Sequence, residues 1–126
     1  MLIDKVNFYQ SIQTFEGIPG ITLSFLADIS DEIALPALKL LSLDEKMNSD
    51  FYIIYRGSVA FYSKGNYEAD FTRGQFIGEM MSPSGFANTN QIMAREDSIL
   101  LKINKDLFYE LVADNVKLAG KILEFI

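Results

Sequence analysis

The stretch that decides the fold is residues 71–97, which read FTRGQFIGEMMSPSGFANTNQIMARED. A strand ends at Gly74, a short turn of helix begins near Gly78, and a loop broken by Pro83 leads into a second strand at residues 90–95. The start of a helix has unpaired backbone N–H groups and the positive end of a dipole, so it can hold a phosphate. Glycine there lets a ligand approach the backbone closely. The stretch therefore has the layout of a small-anion pocket.

This stretch resembles the phosphate-binding cassette of cyclic nucleotide-binding domains. These domains are the regulatory modules of catabolite-activator-type transcription factors, cyclic-nucleotide-dependent kinases and cyclic-nucleotide-gated channels. The family sequence is roughly Gly-Asp-Phe-Phe-Gly-Glu-Leu-Ala-Leu, followed after a few loop residues by Pro-Arg-Ser/Ala-Ala-Thr-Val-x-Ala. The positions that match it without a gap are Gly74, Phe76, Gly78, Glu79, Gly85, Ala94 and Asp97.

The resemblance implies which residues would contact a ligand. In the family, the glutamate of the cassette contacts the ribose hydroxyl, and Glu79 stands at its position. The family's arginine neutralises the cyclic phosphate, but this chain has Asn88 there, and Ala87 replaces the preceding proline. The candidate ligand-binding residues are therefore Gly78, Glu79, Met80, Asn88 and Thr89.

The missing arginine lowers the affinity expected for a cyclic nucleotide. An arginine–phosphate contact contributes about 1.5–3 kcal/mol, or about 3–5 kcal/mol if the buried phosphate is left unpaired. Roughly two to three decades of affinity should disappear. Glu79 also competes for the positive end of the short helix. We therefore expect no tight binding of cyclic AMP or cyclic GMP, and a neutral or differently charged effector could instead contact residues 88–91. In the alternative interpretation, Glu79 only caps the helix, and residues 88–91 line a solvated groove or form a polar, edge-exposed strand.

Composition limits the possible functions. The chain has 126 residues, 49% of them apolar, which suits one folded domain with one core. Its net charge is −6 and its basic residues are scattered, so we expect no contact with nucleic acid. No apolar run approaches the roughly 20 residues of a membrane span, and Asp4 and Lys5 interrupt any signal peptide. Without cysteine or histidine, disulfides, most zinc sites and the usual general base are excluded. We expect a non-enzyme, without a metal, in the cytoplasm.

Apolar periodicity predicts helices at both ends of the chain. Residues 2–13 form the first, with Leu2, Val6 and Tyr9 on one face, and a second follows with Ile21, Phe25, Leu26 and Ile29 on one face. Near the other end, Asn104 is a predicted N-cap, and Asp114 is predicted to cap a last helix that carries Val116, Ile122 and Ile126. In the family, the last helix closes over the ligand or pairs with another subunit.

Between the helices, the pattern predicts strands. These are residues 32–35, 39–43, 51–55, 59–62, 67–71, 90–95 and 99–103, and a hairpin turn falls at residues 63–66. The resemblance extends here, since the family has a Tyr-Ile-Ile-x-x-Gly-x-Val pattern that ends at Val59 after the turn glycine Gly57. The family's turn Pro-x-Gly-Glu corresponds to residues 36–39, where Leu38 takes the place of the glycine.

The pattern predicts a mainly β fold, and the resemblance implies that it is an eight-stranded, double-sheet β-roll of the jelly-roll type with N-terminal and C-terminal helices. We expect one domain over residues 1–126, with helices at 1–30, the roll at 31–103, a short cassette helix near 77–81, and helices at 104–126. We expect the chain to be a piece of a longer protein that carries the output domain. The function expected is regulatory sensing of a small effector. The alternative is a ligand-free interaction module that forms a homodimer through the C-terminal helix.

Overall fold

The computed structural model describes residues 2–43, 50–77, 90–116 and 120. Contacts divide them into two compact units, one of strands from Glu32 to Lys102, and one of helices up to Asp31 and from Ile103 onward. These boundaries lie close to the predicted limits of the roll. That the units act together as one domain stays a prediction.

The helical unit contains α1 (Leu2–Ser11), a short 3-10 helix (Gln13–Phe15), α2 (Gly20–Asp28) and α3 (Lys105–Ala113). The N-terminal and C-terminal helices predicted from the sequence are therefore confirmed. α3 begins as expected, because Asn104 Oδ1 accepts a hydrogen bond from the Leu107 N–H at 3.1 Å. Asp114, which was expected to cap a further helix, is the C-cap residue of α3. The further helix falls largely outside the described residues, so this assignment stays a prediction. Ile122 and Ile126 lie outside the described residues.

The predicted buried faces of the first two helices are only partly right. In α1 the buried residues are Phe8 and Tyr9, whereas Leu2 is exposed. In α2, Leu26 is buried, but Ile21 and Phe25 are 66% and 54% exposed. The prediction failed at α2 because that helix is apolar around most of its circumference, so its periodicity does not single out one face. The side that packs includes Thr22, Leu23 and Ala27.

A buried polar network holds the N-terminal part of the helical unit. The Tyr9 hydroxyl is 2.6 Å from Ser30 Oγ, which donates to the Leu26 carbonyl at 2.6 Å, and Lys5 Nζ donates to the Ser30 carbonyl at 2.6 Å. Because Ser30 uses its proton on Leu26, Tyr9 must donate to Ser30. Burial raises the pKa of Tyr9 well above its usual range. The phenol therefore stays protonated.

The strands form two four-stranded antiparallel sheets. They are β1 (Ser30–Leu35), β2 (Leu40–Leu43), β3 (Phe51–Arg56), β4 (Ser58–Ser63), β5 (Asn66–Thr72), β6 (Phe76–Ile77), β7 (Asn90–Ala94) and β8 (Ser98–Ile103). The first sheet has the order β1-β8-β3-β6 and the second β2-β7-β4-β5. The predicted double-sheet β-roll is confirmed, as two separate sheets and not one closed barrel.

The core of the roll follows from alternation along its strands. Along β4, Val59 and Phe61 are buried in the core, and Phe71 of β5 packs edge-on against Phe61 with the ring centroids 6.3 Å apart. All residues of β3 from Phe51 to Tyr55 are buried, as its aromatic and β-branched composition predicted. The cluster comprises Leu35, Tyr52, Ile54, Val59, Phe61, Phe71, Ile77, Ile92, Ala94 and Leu100.

The turns after β1, β3 and β7 gather at one end of the roll, which we call the turn end (residues 36–39, 56–58 and 95–97). Leu38 N–H donates to the Ala94 carbonyl at 2.7 Å, and Arg95 N–H donates to the Ser58 carbonyl at 3.0 Å. Leu38 has a positive φ of 67°, at the position where the family has glycine. Gly57 also has a positive φ, of 90°, and a Cβ there would overlap Ser98 Oγ. The turn end thus contains one glycine that the packing requires and one leucine in a conformation that favours glycine.

Candidate functional site

The structure describes the frame of the candidate site and not its central residues. Gly78, Glu79, Met80, Asn88 and Thr89 all lie outside the described residues, as does the predicted helix near 77–81 except for Ile77. These assignments stay predictions. The described flanks show that segment 78–89 leaves β6 in the first sheet and enters β7 in the second. The candidate segment therefore connects the two sheets of the roll.

The entry into this segment is held by backbone hydrogen bonds. Gly74, with a positive φ of 88°, donates its N–H to the Ile54 carbonyl at 2.8 Å, and the Ile54 N–H donates to the Gln75 carbonyl at 3.0 Å. Gln75 Oε1 also accepts from the Thr72 N–H at 2.7 Å. Tyr52 of β3 then pairs with Ile77, the last residue of β6. These bonds hold the chain on the first sheet up to Ile77.

The exit from the segment is an internal strand, which corrects one expectation. Residues 88–91 were interpreted in one alternative as an edge-exposed strand, but β7 lies between β2 and β4. Asn90 is fully buried at the beginning of β7, while Gln91 is only partly buried and donates from Nε2 to Ser42 Oγ at 3.5 Å. The alternation of Asn90, Ile92 and Ala94 was the signal in the sequence that places Asn90 on the buried side.

The arginine that follows β7 has partners of its own on the second sheet. Arg95 follows β7 at the turn end, and its Nε donates to Asp70 Oδ1 at 2.8 Å. This hydrogen bond and the charge of Asp70 raise the pKa of Arg95. Its guanidinium also lies 5.8 Å from the centre of the half-exposed Tyr67 ring. Arg95 is thus already engaged on the solvent-facing side of the second sheet.

Two further features bear on chemistry. Among the described residues, no group of three or more acidic side chains lies close enough to hold a metal ion. No helix in the described part of the chain is long and apolar enough to span a membrane. The inside of the roll around β3, β4 and β7 is filled by the apolar cluster, and its buried polar residue at the start of β7 is Asn90.

The chain belongs to the cyclic nucleotide-binding domain family. The family model matches residues 39–115, more than half of the chain, from the beginning of the second strand to the end of α3. The matched region includes segment 78–89, so the resemblance inferred from the sequence is confirmed. No curated protein matches the chain by sequence.

Solved structures share the fold at low identity. The sensor domain of the transcriptional regulator DNR from Pseudomonas aeruginosa has a TM-score of 0.76 and 18% identity, over 98% of this chain and 86% of that one. The cAMP-bound regulatory domain of Toxoplasma gondii protein kinase A has a TM-score of 0.75 and 16% identity, over 99% of this chain and 50% of that one. The regulatory subunit of a cAMP-independent protein kinase A from Trypanosoma cruzi, bound to guanosine, has a TM-score of 0.72 and 17% identity, over 98% of this chain and 46% of that one.

Proposed function

We propose that this chain is a non-catalytic sensor domain that couples a small effector, bound at segment 78–89, to an output elsewhere. The observation that carries the proposal is the family match over residues 39–115, which spans the whole segment between the sheets. The composition supports a regulatory and not an enzymatic role, because the chain contains neither histidine nor cysteine. A cytoplasmic location is part of the proposal, and the absence of cysteine is compatible with it.

The effector we propose is neutral at the position where a cyclic nucleotide carries its phosphate. By the family pattern, the chain keeps the ribose-contacting glutamate as Glu79 and loses the phosphate-contacting arginine at Asn88. A ligand with a sugar and no phosphate fits this combination better than cyclic AMP or cyclic GMP. The neighbour from Trypanosoma cruzi supports the choice, because it is cAMP-independent and bound to guanosine. Guanosine is therefore the first ligand to test.

Calorimetric titration tests this proposal. The chain should be titrated with guanosine, cyclic AMP and cyclic GMP, beside Asn88→Arg and a matched variant, Asn66→Arg, which adds the same charge on the exposed β4–β5 hairpin. We expect guanosine to bind the natural chain more tightly than either cyclic nucleotide. Asn88→Arg should raise the affinity for cyclic AMP about 10- to 100-fold, because a charge-assisted contact contributes about 1.5–3 kcal/mol. Asn66→Arg should leave that affinity unchanged.

Two results would contradict the effector proposal. Micromolar or tighter binding of cyclic AMP by the natural chain would show that Asn88 does not weaken phosphate recognition. If Asn88→Arg and Asn66→Arg raise the affinity for cyclic AMP equally, the effect comes from the net charge and not from a contact at the cassette. If no ligand binds either the natural chain or Asn88→Arg, the sensor assignment fails at this site.

A second candidate function, an interaction module, is favoured by a specific observation in the helical unit. Val116 is 86% exposed just after α3. Asn115 Oδ1 accepts from Thr22 Oγ1 at 2.9 Å, which brings the chain before Val116 next to α2, where Ile21 and Phe25 are exposed. A homodimer that buries these apolar side chains is therefore the alternative proposal.

Analytical ultracentrifugation over a range of concentrations tests the dimer. If Val116 lies in an interface, Val116→Asp should shift the chain from dimer to monomer, because a buried carboxylate without a partner is costly. Leu40→Asp is the matched control, since Leu40 is also exposed but lies on the second sheet. A natural chain that stays monomeric at every concentration would rule out this alternative.

A further inference from the structure

A groove of about 310 Å³ lies at the turn end of the roll, on the first sheet. Its apolar part is formed by Ala34, Leu35 and Pro36 at the end of β1 and by Ile99 of β8. Arg56 of β3 and Asp97 before β8 supply the charged part. The volume of the groove is at the small end of the range for ligand pockets, which begins at about 300 Å³. A ligand of a few heavy atoms would therefore match its size.

The groove is held in shape by bonds between the turns that line it. Asp97 Oδ1 accepts from the Ala37 N–H at 2.9 Å, which ties the turn after β1 to the turn before β8. Ser98 Oγ accepts from the Ser58 N–H at 3.2 Å, which ties the turn after β3 to the same place. Gly57 has no room for a Cβ against Ser98, so these turns are in close contact. Walls fixed in this way lose little freedom when a ligand binds.

The two charges that line the groove do not neutralise each other. Within the described part of the chain, Arg56 forms no ion pair, and its guanidinium lies 5.5 Å from the centre of the Tyr55 ring. Asp97 also forms no ion pair there, and its Oδ1 accepts from the backbone N–H of Ala37. The neighbouring Glu96 is engaged separately, since its Oε2 accepts from Ser58 Oγ at 3.2 Å. The groove thus offers one cation and one anion beside an apolar surface.

We propose that this groove binds a small zwitterion with an apolar side chain, of the chemical class of the apolar α-amino acids. The ligand's carboxylate would contact Arg56, its ammonium would contact Asp97, and its side chain would lie on Pro36 and Ile99. A ligand with only a carboxylate would bring a like charge towards Asp97, and one with only an ammonium would bring a like charge towards Arg56. A zwitterion meets both charges favourably.

This site is separate from the proposed effector segment. Segment 78–89 ends where β7 begins, and the groove lies beyond the other end of β7, which has five residues. Five strand residues span roughly 15 Å. Loss of one site should therefore leave binding at the other intact, and the two proposals can fail independently.

Titration of the ¹⁵N-labelled chain, followed by its amide NMR signals, tests the groove. The probes are L-leucine and two analogues that each carry one of its charges, 4-methylpentanoate and 3-methylbutylamine. We expect saturable shifts of the Ala34, Ser98 and Ile99 amides with L-leucine at millimolar concentrations. Each analogue should bind at least about 10-fold more weakly, since each loses one charge-assisted contact.

Variants of the two charged residues complete the test. Arg56→Gln and Asp97→Asn should each weaken L-leucine binding at least about 10-fold, and Asp97→Asn keeps an oxygen that can accept from Ala37. Arg95→Gln is the control, because it removes the same charge from the same end of the roll but not from the groove. The proposal is overturned if L-leucine causes no saturable shifts, if an analogue binds as well as L-leucine, or if Arg95→Gln weakens binding as much as Arg56→Gln.

Discussion

Leu38 shows at the level of one residue how far this chain has diverged from its family pattern. The sequence predicted a missing turn glycine there, and the structure shows a leucine at φ 67°, 72% exposed. A left-handed conformation costs a residue with a side chain about 1–2 kcal/mol. The same turn places its N–H 2.7 Å from the Ala94 carbonyl, so the conformation is held by the fold. The resemblance identified the position, but only the structure shows that the backbone kept its shape.

Replacing this leucine should stabilise the protein. We expect Leu38→Gly to raise the free energy of unfolding by about 0.5–1 kcal/mol, because the relief of strain exceeds the entropy that glycine adds to the unfolded chain. Urea denaturation measures the change. Leu40→Gly is the matched control, since Leu40 is also exposed but lies within β2, and it should destabilise. A loss of stability in Leu38→Gly would show that the leucine side chain makes contacts worth more than the strain.

Substitution of Gly57 should destabilise the protein more than substitution of Gly65, a second glycine with a positive φ. In Gly57→Ala, the new methyl group combines left-handed strain with an overlap on Ser98, so we expect a loss of more than about 2 kcal/mol. At Gly65 the φ is also positive, at 78°, but nothing lies within 4 Å of an added Cβ. Gly65→Ala should therefore lower the free energy of unfolding by only about 1–2 kcal/mol, the cost of the left-handed conformation. Thermal or urea unfolding of both variants compares them, and equal losses would mean that Ser98 moves aside without cost.

At the level of elements, the N-cap of α3 offers a direct test. Asn104→Ala removes the oxygen that accepts from the Leu107 N–H, and we expect a loss of about 1 kcal/mol of stability together with faster hydrogen exchange of that amide. Asn104→Asp keeps an acceptor and should restore most of the loss. If Asn104→Asp is as unstable as Asn104→Ala, the side chain contributes through something other than capping.

The strands were easier to predict than the faces of the helices. Alternation and β-branched composition located the strands from β3 to β5 within a residue or two. Successive side chains of a strand point to opposite faces, so the burial of each face is visible in the sequence as apolar or polar residues. The helix α2 is apolar nearly all around, so the sequence could not show that Ile21 faces solvent and Thr22 does not. The position of β7 inside its sheet was also missed, since strand order depends on pairings between distant parts of the chain and is not encoded locally.

At the level of the whole molecule, the buried phenol of Tyr9 should make global stability depend on pH in alkali. Because burial raises the pKa of Tyr9 in the folded state, the unfolded chain ionises first. The stability that the protonated Tyr9 phenol contributes is fully present below about pH 10, the ordinary pKa of tyrosine, and it is lost as the pH rises above that value. We expect Tyr9→Phe to remove up to about 1.4 kcal/mol per pH unit of this slope.

Urea denaturation in steps from neutral pH to above pH 10 measures this slope. Ser30→Ala is the control, because it removes the hydrogen-bond partner and keeps the phenol, so the slope should remain. An unchanged slope in Tyr9→Phe would mean that the phenol becomes accessible to hydroxide before the chain unfolds. The variant also loses one hydrogen bond, which lowers stability equally at every pH and does not affect the slope.

The family of the chain was predictable from the sequence, whereas the placement of the candidate segment between the sheets was not. The glycines and Glu79 identified the family, and the family match confirms the identification. The sequence could not show that segment 78–89 connects the two sheets, because this depends on β6 pairing with β3 and β7 pairing with β4. It also did not indicate the groove at the turn end, since Arg56 and Asp97 are distant in the chain and no sequence pattern relates one to the other.

The register of β4 with β7 has a practical consequence. Tyr62 pairs with Gln91, so the hairpin turn at Lys64 and Gly65 lies beside the residue that follows the candidate segment. The chain has no cysteine, so a single one introduced at the exposed Asn66 would accept a thiol-reactive fluorophore at that place alone. Its emission should change if an effector alters the surroundings of this hairpin. The domain is therefore a convenient starting point for an optical biosensor that can screen effectors without knowledge of the natural output.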